Sequence, residues 1–293
     1  MNYATYHLSA KDNGEERFRL HHMPDIFRQD AFHTVHLHNH SFYTVIWFQN
    51  GNGHHYVDFE EYEVVPGSVF FISPEQLHTF DSVQNQTGWV LEFSEDFLQD
   101  ESSSESLFLK YDVFNSYDSP PFRILDDYSW HTLQSIIDAI IHEMGQESAF
   151  AHHDYLAMLV KLFLITVQRN GVTSGDAHML STTSQSDRTF VKFRQLLEKN
   201  YRKVHTVSEY ARMLGVSTKT LTNCSFDSSH KTPLQLINAR LALEAKRLLR
   251  FTDMSSKEVA YHIGFEDPSY FVKFFKRQTS LSPLEFREVT APQ

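Results

Sequence analysis

The chain has 293 residues, 41% of them apolar and 22% charged, ordinary values for a soluble globular protein with room for two cored domains. It has no run of about 18 apolar residues and no basic-then-apolar leader, so neither a membrane span nor a signal peptide is expected. The single cysteine, Cys224, excludes an internal disulfide and fits a reducing cytoplasm. The net charge of −11 is unevenly spread: residues 1–186 carry 8 Lys/Arg against 26 Asp/Glu, and residues 187–293 carry 18 against 11. An acidic half joined to a basic half is the asymmetry expected when one part of a chain meets nucleic acid and the other does not.

Between Phe32 and Phe93, short apolar runs alternate with turn signals. Residues 42–48 (FYTVIWF) read as a strand, Asn50-Gly51-Asn52-Gly53 as a hairpin turn, and residues 54–59 as the returning strand. Val64-Val65-Pro66-Gly67 turns again, and residues 69–73 and 89–93 are further buried strands. Many short strands with close turns predict a small β-barrel or jelly roll over residues 1–126. His36, His38 and His40 alternate and so share one face of a strand, and His78 from a second strand adds another imidazole. Such a set is one that zinc or non-haem iron accepts. Polar groups among aromatics at His38, His40, Tyr43, Trp47, Tyr56 and His78 are the candidate contacts for a small-molecule effector. There is no glycine-rich phosphate loop and no Gly-x-Ser-x-Gly elbow, so a catalytic reading has only the histidines to stand on.

Residues 127–170 change to helical periodicity. Leu133, Ile136, Ile137, Ile140 and Ile141 form one apolar stripe, and Leu156, Leu159, Val160, Phe163, Leu164 and Val167 form another. A break at residues 145–150 lets the two helices fold back antiparallel, with enough apolar surface to pack on the barrel and meet a second subunit. Residues 171–187 (GVTSGDAHMLSTTSQSD) have no periodicity and read as a linker to a domain at 188–293.

That last domain contains an internal repeat. Thr206-x-x-Glu209, Ala211 and Gly215 match Ser255-x-x-Glu258, Ala260 and Gly264 at an offset of 49; Thr232-Pro233-Leu234-Gln235 matches Ser282-Pro283-Leu284-Glu285 at 50. Each unit begins with a capping-box pattern, turns at a glycine and continues into a second helix. In the second unit Asp267-Pro268 starts the helix, and Phe271, Phe274 and Phe275 form its buried stripe. Two helix-turn-helix units, at 206–229 and 255–278, joined by a helix over 233–250, are predicted.

At these residues the chain resembles the AraC/XylS (arabinose-regulator) family of bacterial transcription factors. The motifs that carry it are AxxxGVS, RLxxExKRLL from Arg240 to Leu249, and GFxDPSYFxKFFKRxTxLSPxxFR from Gly264 to Arg287. Two positions depart from the family, which usually has glycine where this chain has His230 and Ser280. The resemblance implies a cytoplasmic, DNA-binding regulator. Lys219, Thr222, Asn223, Ser269, Val272 and Lys273 would lie at base edges, with Lys276 and Arg277 a turn further along on phosphate. It implies double-stranded promoter DNA, a small-molecule effector, a second copy of the chain and RNA polymerase as partners. The order His36-x-His38-x-His40, Pro66-Gly67, Pro74-x-x-x-His78 is similar to the cupin barrel that often forms the sensor half of this family. Cupin enzymes add a carboxylate shortly after the His-x-His pair, and Thr44 stands there, so the expectation is a metal-free effector pocket with no cofactor. The competing readings are a cupin-type metalloenzyme with a helical appendage and an adaptor whose basic helices bind an acidic protein.

Overall fold

A computed structural model describes residues 4–8, 17–25, 36–80, 85–98, 112–114, 120–170 and 185–289. The chain divides into two compact units, one spanning Tyr3–Leu180 and the other made chiefly of Ser181–Gln293. The first is a sandwich of two five-stranded sheets with a helical hairpin. One sheet runs β1 (Ala4–Tyr6), β3 (His38–His40), β8 (His78–Phe80), β5 (Gly53–Val57) and β6 (Glu60–Val64); the other runs β10 (Phe122–Ile124), β7 (Ser68–Ile72), β4 (Tyr43–Asn50), β9 (Thr87–Phe93) and β2 (Phe18–His22). Every pairing is antiparallel except β1 with β3.

Strand β4 is the spine of this unit. It pairs on both sides, Val45 opposite Phe71 of β7 and Leu91 of β9. Both its faces are covered, which is why it reads as a continuous apolar run rather than an alternation. Ile46 and Phe48 face the other sheet, in a core with Phe70, Ile72, Phe80, Val57 and Val64. Tyr43, Val45 and Trp47 point the opposite way, into a core closed by the hairpin of α1 (Asp127–Met144) and α2 (His152–Asn170). There Trp47 meets Trp130 edge-on at 5.2 Å. Helix α1 starts where Asp126 accepts the Ser129 amide at 2.7 Å. The stripes predicted for the two helices are buried except at two positions: Ile141 lies outside its stripe, 44% exposed, and Leu159 is half-buried at the edge of the core.

The glycine-rich turn at residues 50–53 is also corrected. It does not close a hairpin, because β4 and β5 belong to different sheets. It is a corner, and it needs glycine for a close approach: at Gly51, φ 91°, a Cβ would sit 2.7 Å from the Asn85 carbonyl oxygen. The hairpin is instead β5–β6, closed between Val57 and Glu60 with Asp58 at φ 56°, a conformation aspartate tolerates.

The second unit is all helix: α3 (Gln185–Asn200), α4 (Val207–Leu214), α5 (Thr218–Ser229), α6 (Pro233–Phe251), α7 (Ser256–His262), α8 (Pro268–Thr279) and α9 (Pro283–Val289). Helix α3 begins inside the stretch read as linker; the rest of that stretch, residues 171–184, lies outside the described residues, as does the start of the β region at 32–35. Phe190, Phe193 and Leu197 bury the inner face of α3, and Phe193 meets Tyr210 of α4 edge-on at 5.4 Å. Among the described residues no helix is long and apolar enough to cross a membrane.

Candidate nucleic-acid interface and ligand-binding unit

Each helix-turn-helix is set by local capping. In the first, the Thr206 hydroxyl accepts the Glu209 amide at 3.4 Å, α4 ends on Gly215 at φ 68°, and Ser217 accepts the Thr220 amide at 3.0 Å to start α5. In the second, Ser255 and Glu258 form a complete box, with the Ser255 amide donating to the Glu258 carboxylate at 2.7 Å and the Glu258 amide donating back at 3.3 Å. Asp267 then accepts the Ser269 amide at 2.8 Å, ahead of Pro268. Between α7 and α8, Gly264 at φ 90° lies so close to the Arg202 carbonyl that an added Cβ would be 1.9 Å from its oxygen.

Packing then separates the two faces of each recognition helix. On α5, Leu221, Cys224, Ser225 and Ser228 are buried, leaving Lys219 and Asn223 exposed with Phe226 and Asp227 further along. Thr222 is half-buried and its hydroxyl donates to the Thr218 carbonyl at 2.8 Å. On α8, Phe271, Phe274 and Phe275 are buried, and Ser269, Val272, Lys273, Lys276 and Arg277 all face solvent. Among the described residues, neither Lys273 nor Arg277 forms an ion pair. Both helices end on a left-handed residue with a side chain, His230 at φ 54° and Ser280 at φ 63°.

An ion network centred on buried Arg240 and Glu244 holds the scaffold. Arg240 of α6 binds Glu198 of α3 at 2.9 Å and Glu244 at 3.1 Å, its guanidinium lying 3.9 Å above the Tyr201 ring; Arg202 reaches Glu244 at 2.9 Å. Burial pushes the Glu244 carboxyl up, but Arg240 and Arg247 outweigh it and hold the group below the usual carboxylate range. Arg240 and Glu244 belong to the RLxxExKRLL motif, but their partners on and after α3 were not predicted, although Phe190, Phe193 and Leu197 carry the helical spacing that marks α3.

The sandwich gathers some of the predicted effector residues and separates others. His38, His40 and His78 come together, buried, and His40 and His78 bring their Nε2 atoms to 2.8 Å. His36 is outside the strand and exposed; its carbonyl accepts from His38 Nδ1 at 2.8 Å. Tyr43 and Trp47 lie on the helix side of β4, and Tyr56 points away from the core, donating to Glu61 at 2.9 Å. The residue that reasoning missed is His55, fully buried, its Nε2 3.1 Å from His78 Nδ1. Its alternation with buried Val57 was the available signal. Burial lowers the imidazole pKa of His40 to about 3 and holds His55 and His78 well below their ordinary value, with His38 adding to the effect, so these rings are neutral.

Two family models match this chain: one described as a helix-turn-helix domain over residues 210–288, the other as an AraC-like ligand binding domain over residues 24–159. Between them they take in both units and well over half of the sequence. This chain belongs to the AraC family. It is an AraC-type DNA-binding transcriptional regulator with a ligand-binding domain, in a family of transcription factors rather than enzymes. It is similar to the HTH-type transcriptional activator RhaS of Enterobacter sp. (strain 638), 24% identical over 258 residues, 86% of this chain and 87% of that protein. It is likewise similar to RhaS of Escherichia fergusonii, 25% identical over 257 residues with the same coverage. Among solved structures, ToxT from Vibrio cholerae aligns over 94% of this chain and all of its own, with 15% identity and a TM-score of 0.42.

Proposed function

We propose that this AraC-family protein is an effector-controlled, sequence-specific activator that places α5 and α8 of one chain in successive major grooves of double-stranded DNA. The observation that carries the reading is the pair of capped recognition helices flanking α6, each with an apolar face inward and a polar face in solvent. The 19 residues of α6 span about 28 Å at 1.5 Å per residue, near the roughly 34 Å between major grooves on one side of a duplex. Lys219, Thr222 and Asn223 on α5, and Ser269, Val272 and Lys273 on α8, take the base-edge positions. Asn223 suits adenine, Lys273 guanine and Val272 a thymine methyl, and Thr222, its proton held by Thr218, offers its methyl and lone pairs. Lys276 and Arg277 take phosphate. The activator role follows the name of the RhaS relatives, and with it contact to RNA polymerase in the cytoplasm.

The sandwich is the effector-binding unit, with His38, His40 and His78 as its polar floor. The same unit dimerises through α2, where Tyr155 (50% exposed), Met158 (66%), Leu162 (47%) and Ile165 (36%) make an apolar stripe at spacings of three and four. Binding to duplex DNA across a salt series tests the reading. Phosphate contact makes log K fall with log salt by about 0.9 per contact, whereas a flat response, or preference for an acidic protein over DNA, overturns it. A metabolite screen by thermal shift on the whole chain identifies the effector through the stability that a bound ligand adds.

A further inference from the structure

His38 and His78 are register partners on the neighbouring strands β3 and β8, and His40 stands two residues along β3 on the same face. One ring nitrogen of each lies within 4.8 Å of the other two, and the residues His38, His40 and His78 are 5%, 7% and 2% exposed. The lone pairs are oriented by the surroundings. His38 Nδ1 donates to the His36 carbonyl, which can only accept, so the proton sits on Nδ1 and Nε2 is the lone-pair atom. His55 supports Nδ1 of His78 at 3.1 Å, the outer contact that usually orients a ligating imidazole. Nε2 of His78 and Nε2 of His40, 2.8 Å apart, can share one proton between two lone pairs. A metal ion about 2.0–2.1 Å from each nitrogen takes that proton's place with only a small opening of the pair, the proton moving to the other nitrogen of its own ring so that each ligand stays a neutral imidazole.

We propose that His38, His40 and His78 hold a divalent transition-metal ion, zinc fitting best, whose open fourth position takes a small anionic ligand. This rests on the sandwich being the ligand-binding unit and names the chemistry of its ligand. Three imidazoles without carboxylate or thiolate suit zinc, copper, iron or nickel rather than magnesium or calcium, and the three-histidine set with one open position is an established zinc arrangement. The anion follows from charge. The cluster contains no carboxylate, and its neighbours are aromatic, with Phe42 4.6 Å from His40, and Phe80 and Phe70 4.2 and 4.6 Å from His55. A doubly charged ion in such a place needs a counter-charge; hydroxide or the carboxylate of an effector supplies it. Thr44, whose buried hydroxyl has no hydrogen-bond partner among the described residues, lies on the same inward face of β4 as Ile46 and Phe48.

The test uses the full-length protein stripped with a chelator. Zinc titrated by calorimetry binds one ion per chain, and cobalt(II) gives the visible absorption of a four-coordinate site. His78→Gln and His40→Gln each weaken zinc at least 100-fold. His55→Phe, a positioning change, weakens it about 10- to 100-fold, and His21→Asn on the outer surface leaves it unchanged. Acetate and larger carboxylates then shift the cobalt spectrum. Should a glutamine variant fail to fold, imidazole nitrogen shifts of the wild-type protein answer instead, with three histidines moving on addition of zinc. No binding, or binding that survives both glutamine substitutions, overturns the metal site; a cobalt spectrum indifferent to anions overturns the fourth-position assignment. An organic effector that binds the stripped protein as tightly as the loaded one also overturns the fourth-position assignment while leaving the effector reading intact.

Discussion

Lys273 and Arg277 are one turn apart on α8, both in solvent, yet they are expected to fail differently. Lys273 sits midway along the helix beside Val272, on the face proposed above to read base edges, and Arg277 sits in the last turn. Lys273→Ala therefore costs about 1–3 kcal/mol on the preferred site and relaxes its sequence preference, whereas Arg277→Ala weakens all sequences alike and lowers the salt slope by about one. Binding to a preferred and a scrambled duplex at several salt concentrations separates the two; identical uniform losses would show the reading face to be misplaced. Ser280, at φ 63°, is a second residue-scale case. A Cβ in the left-handed region costs about 1–2 kcal/mol, and glycine removes that cost. Ser280→Gly should raise the stability of the helical unit by about 1 kcal/mol in urea unfolding, and a lower midpoint would contradict it. His230→Gly is a less clean test, since His230 also contacts the Phe226 ring at 6.0 Å.

Elements are held by contacts between them, and two can be tested at that level. The α2 stripe has its inner residues, Val160, Phe163, Leu164 and Val167, in the core, so the outer row of Tyr155, Met158, Leu162 and Ile165 can change without opening the fold. Leu162→Lys should convert a dimer to a folded monomer in sedimentation, with the helical spectrum kept; an unchanged mass would remove α2 from the interface. The Arg240 network ties α6 to α3. Arg240→Met leaves half-buried Glu198 without its partner and buried Glu244 with only Arg202 and Arg247, at a cost of about 2–3 kcal/mol near neutral pH, below the 3–5 kcal/mol of a fully stranded buried charge. The pH dependence has a definite sign. Because the folded pKa of Glu244 is depressed, its contribution is complete above the ordinary carboxylate pKa and is lost as pH falls through the folded value. The penalty of Arg240→Met should thus shrink in acid, where the stranded carboxylates are protonated. Urea unfolding of both proteins at neutral and acid pH checks this, and a pH-independent penalty would contradict it.

At the scale of the whole molecule, charge and geometry bear on one surface. The net of +7 over residues 187–293 attracts a polyanion that the net of −18 over residues 1–186 repels, so the two halves bias which end of the chain meets DNA. With α5 and α8 in adjacent grooves, one chain covers about 20 base pairs along a single face of the duplex, and a dimer covers a tandem pair of such sites. Hydroxyl-radical footprinting reads this directly. Protection confined to half a turn, or wrapping both faces, would rule out the two-groove arrangement.

Capping is local chemistry between residues three apart, and apolar periodicity is local geometry. The double helix-turn-helix, its phenylalanine stripe and most of the stripes of α1 and α2 were therefore legible in the sequence alone, and the left-handed C-caps at His230 and Ser280 through the family resemblance. What it left undecided depends on partners distant along the chain. Asn50-Gly51-Asn52-Gly53 has the composition of a hairpin, but β4 finds its neighbours in β7 and β9, so the turn becomes a corner pressed against Asn85. Tyr43 and Trp47 belong to a run covered on both faces, and only the docking of α1 and α2 determines that their side of β4 is the helical core. His36, His38 and His40 are equivalent by spacing, yet β3 begins at His38, and pairing with β8 places His78 beside His38 and, through β5, admits His55. Spacing determined which residues share a face, and strand pairing across dozens of residues decided which faces meet, because hydrogen-bond register and buried apolar area are properties of the assembled sheets rather than of any one segment.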